Sequence, residues 1–231
     1  MLSIPIVSSF DNAGIKKAQQ GFGKLESDAK RASATLRRVG QAATVGFAAV
    51  GVAITGAAYA AFNFVKAAVE DEKAAALLAT SLRNTTKATD AQIAATEDWI
   101  TTTALATGVA DDELRPAFAT IARSTRDLTK AQKLLSTAQN ISAATGKPLA
   151  VTAKAVSQAF AGQFGALKKL SPELNALIKS GADADEVFAA LDKTFAGAAD
   201  TAANSTAGKF QRFQIAVDEL KEGIGALLLP V

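Results

Sequence analysis

Between residues 15 and 39 apolar side chains recur at Ile15, Ala18, Phe22, Leu25, Ala29, Ala32, Leu36 and Val39, in alternating steps of three and four. This spacing predicts a helix with a heptad seam, Ile15, Phe22, Ala29 and Leu36 at one core position and Ala18, Leu25, Ala32 and Val39 at the other. A strict period of about 3.5 residues supercoils left-handed and makes sense against a partner helix, so these eight residues form the expected oligomer interface. An ordinary amphipathic helix lying on its own domain is the alternative. Asp11-Asn12 can cap the helix. Leu2 to Val7 ahead of it reads as a short strand or an extended tail, where Pro5 limits pairing to an edge.

From Val39 to Val65 there is no charged residue. A helix of that length, at about 1.5 Å per residue, is long enough to cross a bilayer. The run VGQAATVGFAAVGVAITGAAYAAFNFV is mostly Ala and Gly, however, which makes its transfer into lipid only modestly favourable. Continuing the heptad count puts Ala43, Gly46, Val50, Ala53, Ala57 and Ala60 on the seam, and small residues there allow helix backbones to approach closely. Gly40, Gly46, Gly51 and Gly56 each weaken a helix in water by about 1 kcal/mol relative to alanine, so packing or lipid must hold the segment. The expected structure is a helix buried by self-association or by surrounding protein. The competing one is a membrane segment carried by Val39, Phe47, Val52, Ile54, Tyr59, Phe62 and Val65.

The remainder reads as short, well-punctuated helices. Expected elements are 70–83, 89–107 closed by Gly108, an entrance at Asp111-Asp112-Glu113 with Pro116 soon after, and 128–145 closed by Gly146. In the 128–145 helix Leu134, Leu135, Ala138, Ile141 and Ser142 share a face. Then follow 148–160, broken by Gly162 and Gly165, a helix opened by Ser171-Pro172-Glu173, then 183–195 and 209–229. Ala106-Thr107-Gly108 recurs as Ala144-Thr145-Gly146, which suggests a degenerate helix-pair duplication but is too little for a solenoid. No strand alternation follows residue 10. The expected fold class is all-α, in three stretches: 1–38 with the extended segment and heptad helix, 39–69 with the uncharged helix, and a multi-helix domain over 70–231.

Composition narrows the chemistry. The 231 residues include no Cys and no His. That removes thiolate nucleophiles, disulfides, histidine bases and imidazole metal ligands. Asp111-Asp112-Glu113 suits the positive end of a helix dipole, and as a catalytic cluster it has no identifiable partner base or pocket. Phosphate loops, dinucleotide fingerprints, calcium loops and nucleophile elbows are absent from the sequence. No catalytic residue, cofactor or metal is therefore expected, and the chain is not expected to be an enzyme. The formal charge is +3, too small to imply nucleic-acid binding. It is unevenly spread: Lys16, Lys17, Lys24, Lys30, Arg31, Arg37 and Arg38 face only Asp11, Glu26 and Asp28 in the first stretch. These seven form one outward stripe, either simply solvated or drawn to an acidic surface.

The segments TGVADDELRPAFATIARSTRDLTKAQKLLSTAQNISAATGKPLAVTAKAVSQAFAGQFGALKKLSPELNALI and TFAGAADTAANSTAGKFQRFQIAVDELKEGIGALLLPV carry a further signal. Gly108 is followed by Leu114, Ala117 and Ile121, then come Gly165 to Leu170, Gly197-Ala198-Ala199, and Ile224-Gly225 with Leu228, Leu229 and Pro230. In this order the motifs resemble the N-terminal region of tape measure proteins of long-tailed bacteriophages and prophages, over most of residues 10–231. Family members are usually several times longer, so the resemblance implies that this is the leading part of a longer polypeptide. It also implies a structural ruler in the tail-tube lumen of the virion, assembled in the host cytoplasm, which sets tail length, templates tube polymerisation and leaves before the DNA at infection. The implied partners are copies of itself, as a parallel homo-oligomer and specifically a trimer, tail-tube and tail-tip proteins, tail assembly chaperones and the host membrane during ejection. No specific nucleic-acid sequence is implied. The basic stripe would then face an acidic tube wall. A membrane-inserting or pore-forming protein using residues 39–65 is the alternative.

Overall fold

A computed structural model describes residues 54–228, with side chains from residue 63 to residue 227. The heptad stretch and most of the uncharged stretch lie outside these residues. The described residues are all helical, with no strand among them. Residues 67–222 form one compact unit, and the described residues on either side of it, 54–66 and 223–228, are grouped in a second.

The elements are α1 (Ile54–Thr86), α2 (Asp90–Thr107), α3 (Asp111–Thr125), α4 (Leu128–Thr145), α5 (Leu149–Phe160), a 3₁₀ turn (Leu167–Lys169), α6 (Pro172–Lys179), α7 (Ala184–Phe195), α8 (Ala198–Asn204) and α9 (Thr206–Leu228). Local chemistry sets most of the boundaries. Thr89 and Gln92 form a reciprocal capping box at the start of α2, Thr89 Oγ1 accepting from the Gln92 amide and Gln92 Oε1 from the Thr89 amide at 2.9 Å. Asp183 and Glu186 do the same for α7. Asp127 caps α4, and Ser171 caps α6 with Pro172 in its first turn. At the exits, Gly108 and Gly146 both take the left-handed conformation, with φ of 76° and 67°.

Two boundaries differ from the sequence reading. The helix expected over 70–83 is the later half of a longer one, because the Ala-rich stretch from Ile54 contains no breaker strong enough to interrupt it. The Gly-Ala-Ala stretch holds a separate helix, α8, whose N-cap Gly197 has no side chain to satisfy the first amides. Asn140 on α4 supplies the missing acceptor, its Oδ1 taking the Ala199 amide at 3.0 Å.

The core lies where α3, α4 and α5 pack on one another. Leu114, Phe118 and Ile121 from α3, Leu135, Ala138 and Ile141 from α4, and Ala153 and Val156 from α5 are buried. Small residues at the crossings let the α3 and α5 backbones come within reach of hydroxyls. Ser124 Oγ donates to the Ser157 carbonyl at 3.0 Å, and Thr152 Oγ1 on α5 donates to the Ala138 carbonyl on α4 at 3.0 Å. Leu167, Leu174, Val187 and Leu191 extend the same cluster through the 3₁₀ turn, α6 and α7, while Leu78, Leu82, Ile93 and Ile100 bring in α1 and α2.

Candidate functional site

The apolar face of α3 carries two charges. Asp111 and Arg115 lie one turn apart in line with Phe118 and Ala122, and both are buried with the core residues. A guanidinium left unpaired there would cost several kcal/mol. Arg115 is instead surrounded: its Nε donates to Glu97 Oε2 of α2 at 2.9 Å, and its Nη1 meets Asp71 Oδ1 of α1 at 2.7 Å and Asp111 Oδ2 within α3. The Nη1 contacts are ionic rather than directed, since neither Nη1 nor Asp71 Oδ1 completes a hydrogen bond. Burial works against the charge on Arg115. The Glu97 hydrogen bond and the nearby carboxylates outweigh it, raising the pKa above its ordinary value and keeping the group protonated at all accessible pH.

The cluster nevertheless holds more negative charge than Arg115 can balance. Glu219 and Glu222 of α9 approach Asp71 and Asp111, and one oxygen each of Asp71, Asp111 and Glu222 lie within 4.8 Å of one another. Such a spacing calls for positive charge, and the guanidinium is the built-in source of it. Five carboxylates, Asp71, Glu97, Asp111, Glu219 and Glu222, then crowd around Arg115. Buried Glu97 Oε1 and Glu219 Oε1 have no hydrogen-bond partner. The physical consequence is proton uptake. Burial, followed by repulsion from Asp111 and Asp71, pushes Glu219 up to about 7. Burial, with repulsion from Asp111, Asp71, Glu219 and Asp112, pushes Glu222 up to about 8. Asp71 is raised as well, by burial, with Arg115 pulling the other way. A cavity of about 210 Å³ beside the cluster is lined by Ala67, Asp111, Asp112, Ile215, Glu219 and Glu222 among others.

The protein families, curated proteins and solved structures contain no match to this chain.

A second feature lies on the other side of α9. Phe210, Phe213, Val217 and Leu220 recur in steps of three, four and three, and the row continues in sequence with Ile224 and Leu227. This is again a heptad seam. Ile215 and Arg212, on the opposite face, hold α9 to the unit: Ile215 packs against the core, and Arg212 Nε donates to the Leu105 carbonyl at 3.0 Å. The seam is left open, with Phe210 61% and Phe213 64% exposed. An open groove of about 630 Å³, lined by Gly108, Ala110, Phe210, Phe213 and Val217 among others, runs along it.

The interface residues Ile15, Ala18, Phe22, Leu25, Ala29, Ala32, Leu36 and Val39 and the basic stripe from Lys16 to Arg38 lie outside the described residues. So do Val39, Phe47 and Val52 of the membrane candidate. Ile54, Tyr59 and Phe62 fall within α1, and Val65 is half-buried on it. Among the described residues no helix is long and apolar enough to cross a membrane. The acidic triplet at 111–113 splits: Asp111 turns into the cluster while Asp112 and Glu113 stay exposed. Sequence reasoning missed Asp71, Glu97, Arg115, Glu219 and Glu222. A signal existed for Arg115, which occupies an apolar position in the 111, 115, 118, 122 row. The α9 seam was equally readable from its spacing.

Proposed function

We propose that the chain is the leading part of a phage or prophage tail tape measure protein, a structural ruler within the tail tube rather than an enzyme. The observation that carries this reading is the open seam on α9. A helical unit in which α9 exposes Phe210 and Phe213 at the start of an apolar row, with Val217 and Leu220 half-buried further along, suits parallel association with copies of itself. The sequence places a comparable row at Ile15 to Val39, ahead of the compact unit along the chain. The ordered motifs that resemble tape measure proteins give the association its meaning: aligned helices have a fixed rise per residue, so chain length can translate into tube length. The tube, tail-tip, chaperone and membrane partners follow from the same resemblance.

Sedimentation equilibrium of the whole chain tests the association step. The expected result is a trimer, weakened by Phe210→Glu with Phe213→Glu and weakened further when Leu25→Glu is added. A monomer at high concentration, with these changes having no effect, would contradict it.

A further inference from the structure

The two ends of the docked part of α9 are held by different physics. Near its start the contact is steric and polar: Gly208 packs so closely on α8 that an added Cβ would stand 2.7 Å from the Ala203 Cα, and Arg212 bonds the Leu105 carbonyl. Further along, the contact is the crowd of carboxylates around Arg115. Ser205, extended at φ −65° and ψ 164°, separates α8 from α9 just ahead of the steric anchor.

We propose that α9 is a proton-linked latch, held against α1 and α3 while the Arg115-centred cluster carries added protons and released at its far end when they leave. From α1 comes Asp71, with exposed Lys66 and Glu70 flanking it in sequence. From α2 comes Glu97, and from α3 come Asp111, Asp112 and Arg115. From α9 come Glu219 and Glu222, with Asp218 and Lys221 paired to each other at the rim. Arg115 is the cation buried among these carboxylates, so each proton lost adds negative charge to a site where carboxylate oxygens without hydrogen-bond partners are already buried.

The sign follows from linkage. Glutamates ordinarily titrate near 4.5, whereas the docked Glu219 and Glu222 titrate near 7 and 8. The docked state therefore binds more protons between those values, and docking weakens as pH rises through that window. Below it these two groups exert no further pull. Release would uncover the face of α9 opposite the Phe210 and Phe213 seam, changing the surface that α9 offers to other helices.

The chain has no cysteine and one tryptophan, Trp99 on α2. A dansyl label on Gly223→Cys, an exposed site on α9 next to Glu222 where an added Cβ meets nothing within 4 Å, thus gives energy transfer from Trp99 as a measure of docking at the released end. In the whole chain transfer is expected to fall from pH 6 to pH 9, the docking equilibrium dropping at least tenfold with its midpoint between pH 7 and 8. Glu219→Gln with Glu222→Gln, which removes charge without changing shape, is expected to hold transfer high to pH 9, and Glu222→Gln alone to hold it in part. Transfer that stays flat with pH in the unmodified background, or that falls identically in the double variant, would overturn the latch. Neither outcome depends on whether the chain assembles into a tail.

Discussion

Replacing Arg115 by Met probes the cluster most sharply. Methionine keeps the length and apolar packing of the arginine stem while deleting the charge. Glu97 loses the guanidinium that donates to it, and Asp71 and Asp111 lose the cation they both touch. Leaving partners of a buried ion pair uncompensated costs about 3–5 kcal/mol, a large share of the roughly 5–15 kcal/mol that stabilises a typical domain. The penalty has a pH signature. Arg115 lowers the pKa of Asp71 and Glu219, so without it their folded values rise further above the unfolded ones. The cost is then absent in acid, below the unfolded values, and grows as pH rises. Urea unfolding followed by Trp99 fluorescence measures it, because Trp99 packs against buried Phe118 with ring centroids 5.8 Å apart. The expected loss is at least about 3 kcal/mol at pH 8 and under about 1 kcal/mol at pH 4.5. Adding Glu97→Gln and Asp111→Asn to the same background should recover part of the loss at pH 8. A pH-independent loss below about 1 kcal/mol would show that the cluster is not an energetic unit.

Other consequences are simpler. Gly208→Ala would put a Cβ 2.1 Å from the Ala202 carbonyl oxygen, so it should lower stability by about 2 kcal/mol or more, at the level of core overpacking. Gly223→Ala, with nothing within 4 Å, should raise helix stability by roughly 0.5–1 kcal/mol. Urea titrations of both variants check this contrast. Asn140→Ala removes the acceptor for the Ala199 amide and should cost about 1 kcal/mol, read as a Tm shift or as faster hydrogen exchange in α8.

The parts of this fold that were legible in the sequence are those fixed within one or two turns. Gly108, Gly146, Ser171 and Asp183 mark helix ends because a left-handed carbonyl exit or a side-chain acceptor is local chemistry. Gly108 and Gly146 look alike in sequence and differ in space: a Cβ at Gly108 would meet Arg212 Cγ at 3.2 Å, whereas Gly146 stands clear. Only the packed α9 reveals that difference. The same applies to α8, whose weak N-cap is completed by Asn140 from a distant helix. The carboxylate cluster was hidden for this reason too, since Asp71, Glu97, Arg115 and Glu219 each sit on a separate helix. Taken singly, Asp71 and Glu219 resemble ordinary surface charges, and only the docking of α1, α2 and α9 around α3 makes them neighbours.

Tail length is the most direct test of the proposed ruler. If the proposed reading holds, in-frame deletions within the reading frame that holds this chain, followed by electron microscopy of released tails, relate residues to length. The account predicts tails shortened by about 1.5 Å for each residue removed. Tails of unchanged length, or no tail defect when the gene for this chain is deleted, would contradict it.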